Sequence, residues 1–176
     1  MRIGYQGEPH SYSSMAAAEI FADDEAVGFR SFVGCFEALE NGAVDRLVLP
    51  VSNSITGPIE EVVAGISELE KVGETTVAIG HALLVLPGAD LSKIARVKSH
   101  SVALGQAANY LAERGWASVV TTDTAGAARE VVEEGDPTTA ALASPRAAAY
   151  GLEIAETSVA DEAGNQTVFV AVKLRD

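Results

Sequence analysis

Residues 46–70 read RLVLPVSNSITGPIEEVVAGISELE, and this stretch decides the fold class. Its first part, RLVLPV, is an apolar run of strand length. Its second part carries Ile59, Val62, Val63, Ile66 and Leu69, a spacing that predicts a helix over 57–70 with one buried face. A strand feeding a helix is half of a crossover unit, and the chain repeats the arrangement on both sides. Upstream, RIGYQ (2–6) reads as a strand and 13–22 as a helix, followed by FRSFVG and the helical CFEALENGAV, stopped at Asn41 and Gly42. Downstream, TTVAIGHALLVLP (75–87) reads as one strand long enough to cross between two lobes. Strands ARVKSH, ASVVTTD and TTAALAS then alternate with helices SVALGQAANYLAERG, TAGAAREVVEEG and PRAAAYG, and QTVFVAVKL closes the chain with an edge-like charged end. The expected class is α/β with mostly parallel sheets. The lobes are expected at about 1–78 with 166–176, and at about 79–165.

Composition narrows the function. With 176 residues, 48% of them apolar, the chain can bury a substantial core. A net charge of −13, with 12 Lys and Arg scattered singly, would repel a phosphate backbone, so no nucleic-acid partner is expected. The start MRIGYQG lacks a basic, then hydrophobic, leader, and no apolar run reaches eighteen residues. The expectation is a cytoplasmic protein with no membrane partner. The one cysteine, Cys35, sits in FVGCFEAL like a small buried apolar residue. The histidines show no metal-ligand spacing and there is no CxxC, so no metal is expected.

Chemistry-bearing residues gather at the strand-to-helix junctions. SYSS (11–14), SNSITG (52–57), SHS (99–101), TDTAG (122–126) and ASPR (143–146) each place a small hydroxyl or amide residue where a helix is expected to begin. Helix starts at the carboxyl ends of parallel strands can converge on one crevice, where free N–H groups and dipole ends bind an anion without a lysine. That suits a carboxylate ligand. His100, at the mouth of a helix, is a candidate general acid or hydrogen-bond donor. His10 stands in a turn before SYSS, and His81 lies in an apolar strand as a core or hinge residue.

The strings IGYQGEPHSYSSMAA, PVSNSITGPI, VKSHSVALGQAANYL, TTDTAGAARE, ALASPRAAAYGL and GNQTVFVAV resemble, in order and spacing, the prephenate dehydratase family over essentially the whole chain. The resemblance implies a fold like the type II periplasmic binding proteins, with a cleft between the lobes, prephenate as small-molecule substrate, no cofactor, a homodimer, and Thr167 as proton donor to the departing ring hydroxyl. The departures carry as much meaning. Val168 stands where the family's dehydratases carry Arg in Thr-Arg-Phe, and Ser52 where they carry Glu in Glu-Asn-Ser. Ser101 and Val102 replace Pro-Gln after the Ser-His motif, and His10 stands at a family glycine. No regulatory ACT domain is expected. Losing Arg and Glu together avoids leaving either charge buried alone, a cost of roughly 3–5 kcal/mol.

These departures are similar to those of the family's stand-alone prephenate decarboxylases, which release CO2 and keep the ring non-aromatic. Dehydration to phenylpyruvate and binding without reaction are the alternatives. The expected catalytic residues are His100, Thr167 and His10. The expected substrate contacts are Ser11, Ser13, Asn53, Ser54, Ser99, Thr124, the amides near Ala125, Val168, and Phe169 as a wall for the ring.

Overall fold

A computed structural model describes residues 1–175, and the chain divides into two units, Met1–Ile79 with Gly164–Asp176, and Gly80–Ala163. In the first unit lie β1 (Arg2–Gln6), α1 (Tyr12–Ile20), β2 (Glu25–Phe29), α2 (Phe32–Glu40), β3 (Arg46–Asn53), β4 (Gly57–Pro58), α3 (Glu60–Gly65), β5 (Glu70–Ala78) and the last strand, β11 (Gln166–Lys173). The second unit holds β6 (Ala82–Val85), β7 (Arg96–Ser99), α4 (Ser101–Gln106), α5 (Ala108–Arg114), β8 (Ala117–Val120), α6 (Thr124–Glu134), β9 (Thr139–Ala143) and β10 (Glu153–Glu156).

The first sheet has the order β2-β1-β3-β11-β5, with β4 paired to β3. Both faces are covered, which explains why its inner strands β1, β3 and β11 carry continuous apolar stretches. Leu47, Leu49, Val170 and Val172 meet Cys35, Ala38 and Leu39 of α2 and Val62 of α3. The alternate residues Ile3, Tyr5, Val48, Phe169 and Ala171 pack on Ala16 and Ala17 of α1. Each fully buried leucine here contributes about 1.5–3 kcal/mol. Burial pushes the Cys35 thiol up to about 12, so it stays an inert apolar filler.

In the second sheet the order is β10-β6-β9-β7-β8. Leu104, Ala107 and Leu111, from the α4–α5 segment, cover Leu83, Val97 and Leu142 on one face. Ala127, Ala128 and Val131 of α6 cover Ala82, Leu84, Ala141 and Ala143 on the other. Lys98 also faces α6, 8% exposed, where Glu130 at 3.1 Å and Glu134 neutralise it.

The α/β class is as expected, and the sheets are mixed. Strands β1, β2 and β3 are parallel, as are β7, β8 and β9, whereas β11 runs antiparallel to both β3 and β5. The chain leaves the first unit after β5 and returns beside it, Gln166 opposite Ala78, so the returning strand has to run the other way. For the same reason the closing strand is central, not edge-like: Lys173 pairs with Glu70 and reaches its carboxylate at 3.3 Å.

Local competition moves other boundaries. Ser31 accepts from the Gly34 N–H at 3.1 Å, which draws Phe32 and Val33 into α2 and leaves the strand at 25–29 instead of 29–34. The helix expected over 57–70 shrinks to α3, because Gly57 and Pro58 pair with Asn53 and Ser52 while Glu70 opens β5. Val62 is fully buried, but Val63 is 44% exposed. The strand expected over 75–87 breaks between Ala78 and Ala82, the helix over 101–115 breaks at Ala107, and β10 appears where no strand was expected. PRAAAYG folds as a 3-10 turn.

Candidate active site

At one end of the first sheet the carboxyl ends of β1 and β3 meet the amino end of β11. Asn53 organises this end. Its Nδ2 donates to Thr167 Oγ1 at 2.9 Å, to Asn165 Oδ1 at 2.6 Å and to the Gln166 carbonyl at 3.0 Å. Its Oδ1 accepts from the Ile55 and Thr56 N–H groups at 3.0 and 3.1 Å, so the side chain closes the 53–56 turn as well. SNSITG is therefore a hairpin turn into β4 and not a helix start.

Thr167 is 7% exposed. A hydroxyl has one proton and two acceptor sites, so accepting from Asn53 leaves Thr167 able to donate its own proton. By the two-residue period of a strand it shares a face with Phe169 and Ala171, the face covered by α1. Phe169 is 2% exposed and packs with Ile3, Tyr5 and Val48, which makes it a core residue in place of the expected ring wall. Val168 alternates to the other face, with Val170 and Val172. Its register partners are Ser52 on β3 and Thr76 on β5.

Ser54 binds the start of β11 through both backbone and side chain. Its N–H donates to the Gln166 carbonyl at 2.8 Å and its Oγ accepts from the Gln166 N–H at 2.9 Å. That engagement makes Ser54 a clamp and not a free ligand group. Ser11 caps α1, accepting from the Ser14 N–H at 3.2 Å, and Ser13 lies in the first turn, 8% exposed. His10, just before the cap, has φ of 67°, a conformation that side chains with a Cβ rarely adopt.

In the second unit, His100, Thr124 and Arg146 follow the carboxyl ends of β7, β8 and β9. His100 caps α4, its Nδ1 accepting from the Val102 N–H at 3.3 Å, which leaves the ring proton on Nε2. Ser99 is fully buried and donates to the Leu142 carbonyl at 2.6 Å, so its hydroxyl serves the sheet. At α6 the cap is Asp123, whose Oδ1 accepts from Gly126 N–H at 2.7 Å. Ala125 is fully buried, and the anion at this helix start is the protein's own carboxylate. Asp123 and Asn165 were missed in the sequence. Asp directly before TAGAARE is a stronger cap signal than Thr124. Nothing in one sequence marks Asn165 as a partner of a residue more than a hundred positions away.

His81 is 4% exposed; burial holds its pKa below the ordinary imidazole value, while a hydrogen bond with Gln106 opposes the shift. Among the described residues no group of three or more His, Cys, Asp or Glu side chains could hold a metal ion, and no helix is long and apolar enough to cross a membrane.

The family model for prephenate dehydratase matches residues 3–176. The chain belongs to the prephenate dehydratase family. Among curated relatives, arogenate dehydratase/prephenate dehydratase 2 of Arabidopsis thaliana is 38% identical over 97% of this chain and 45% of its own length. Arogenate dehydratase 3 of the same plant is 39% identical over 97% of this chain and 41% of its own length. The chain thus spans less than half the length of these relatives. The prephenate dehydratase of Arthrobacter aurescens in complex with L-Phe superposes with a TM-score of 0.89 at 24% identity, over all of this chain and 61% of that one, a likeness of fold. GqqA, described as a novel type of quorum quenching acylase, superposes at 0.88 with 33% identity, over all of this chain and 65% of that one. A periplasmic substrate-binding protein of an ABC transporter from Coxiella burnetii shares the fold at 0.52 and 17% identity, over 98% of this chain and 84% of that one.

Proposed function

We propose that the chain is a carbon–carbon lyase acting on prephenate, which releases CO2 while the ring hydroxyl stays in place and yields a non-aromatic dihydro-4-hydroxyphenylpyruvate. The observation that carries this reading is the pairing of Ser52 with Val168 across β3 and β11. These are the two positions at which the family resemblance leads one to expect Glu and Arg. Side chains of directly opposed residues stand about 4.5–5.5 Å apart at Cβ, close enough for an ion pair. Here the pair is a hydroxyl and an isopropyl group.

Dehydration needs a proton delivered to a hydroxyl that departs as water, in surroundings that stabilise the charge moving with it. On its own strand Thr167 is flanked by Gln166 and Val168, neither of them charged. A hydroxyl held by Asn53, with no charged neighbour on its own strand, is better suited to gripping the substrate's hydroxyl than to expelling it. Ser11 and Ser13, at the same end of the sheet, would meet a substrate carboxylate. Neither reaction course requires a cofactor.

Complete dehydration to phenylpyruvate is a second reading, favoured by the intact Asn53–Thr167 hydrogen bond and by the dehydratase names of the relatives. Incubation with prephenate, followed by ultraviolet absorbance and proton NMR, separates the two. Release of CO2 matched by a vinylic, non-aromatic product is expected. Stoichiometric phenylpyruvate above the uncatalysed background assigns the dehydratase reaction, and unconsumed prephenate rejects both.

A further inference from the structure

Decarboxylation with retention of the hydroxyl needs an acid that protonates carbon, and the following inference rests on that proposed reaction. Thr167 is unsuited to the task, because an aliphatic hydroxyl is a weak acid and this one is oriented by Asn53 as a hydrogen-bonding group. We infer that His10 donates the proton to the ring carbon.

His10 is one of two non-glycine residues with positive φ among the described residues, the other being Ser158. The family resemblance expects glycine there, the residue that adopts this conformation without penalty. Such strain persists where the surrounding structure over-determines it, and it clusters at active sites. The loop that carries His10 is held at both ends. Gly7 N–H donates to the Phe29 carbonyl at 2.8 Å, and Ser11 is fixed by capping α1 at 3.2 Å. On the far side, a Cβ at Gly28 would stand 2.5 Å from the Gly7 carbonyl, so β2 packs against the loop too closely for it to relax. The backbone at residue 10 is therefore held in place at the carboxyl end of β1, and α1, which follows the loop, covers the sheet face that Thr167 shares.

The step balances. The bond from the ring to its carboxylate breaks and CO2 departs. The electron pair left on the ring forms a new double bond to the adjacent carbon, and the pair of the old double bond takes a proton from the His10 imidazolium at the far carbon. Imidazole remains and is reprotonated by water, and the ring hydroxyl is untouched.

His10→Gly and His10→Asn distinguish this role from a structural one, since both residues fit the left-handed backbone. Turnover of prephenate is expected to fall by about 100-fold or more in each. The melting temperature should stay the same or rise by as much as about 4 °C, because the strain is relieved. In D2O the wild-type protein should place deuterium on a single face of the ring carbon, and the residual product of the variants should carry it on both faces. Retained turnover with single-faced deuterium, or a melting temperature that falls together with activity, overturns the inference and leaves the proposed reaction standing. Phenylpyruvate as the wild-type product removes the reaction and the role together.

Discussion

Asn53 and Thr167 are joined by a 2.9 Å hydrogen bond from Nδ2 to Oγ1, across a gap of more than a hundred residues in sequence. Because the same amide also reaches Asn165 at 2.6 Å and its oxygen closes the 53–56 turn, one side chain aligns the end of β3, the turn and the start of β11. Replacing Asn53 with Ala should release the Thr167 hydroxyl from its set direction and leave polar groups without their partner, at a cost of about 1–3 kcal/mol. Both turnover with prephenate and the midpoint of urea unfolding should drop. Full activity in a folded Asn53→Ala protein would remove Thr167's orientation from the account.

The pairing of Ser52 with Val168 makes a double-mutant cycle informative. Ser52→Glu and Val168→Arg singly each introduce a partly buried, unpaired charge and should destabilise. Together they should recover about 0.5–3 kcal/mol of coupling and raise the fraction of phenylpyruvate among products. Additive effects on stability and an unchanged product ratio would show that this pair does not govern the outcome.

Ser99→Ala should act on the fold and not on substrate affinity. Its hydroxyl, fully buried and 2.6 Å from the Leu142 carbonyl, ties β7 to β9. Loss of that bond should cost about 1–3 kcal/mol in denaturant unfolding with KM for prephenate unchanged. A large rise in KM at full stability would restore Ser99 as a carboxylate ligand.

His81 predicts an acid-sensitive fold. Burial lowers its pKa in the folded state, so the unfolded chain takes up a proton first as pH falls. The stability due to the neutral ring is complete above an ordinary imidazole value of about 6.5 and is lost as pH drops through the lower folded pKa, at up to about 1.4 kcal/mol per pH unit. His81→Gln should flatten that part of the stability profile below about pH 6.5, and an unaltered slope would assign the acid sensitivity to other groups.

What was readable in the sequence was whatever depends on near neighbours. Apolar runs at strand length, the alternation of strand and helix, and Ser11 as a cap all follow from local periodicity and from the unsatisfied N–H groups of a helix start. Local signals failed where two compete. Gly57 and Pro58 lie beside a helical pattern and are claimed by pairing with β3, and Asp123 out-competes Thr124 for the cap because its carboxylate is the stronger acceptor.

The motifs by themselves determined the family and the α/β class and singled out positions 52, 53, 167 and 168, since residue types in order are all that such recognition needs. Only the tertiary structure decided that Ser52 faces Val168, that Asn53 holds Thr167, that Phe169 is core, and that Ser54 and Ser99 are engaged within their own sheets. The physical reason is that a hydroxyl or amide is equally able to bind a ligand or a neighbouring backbone. Which it does depends on strand register and on the faces that the second half of the chain covers, and these are long-range relations that no local pattern encodes.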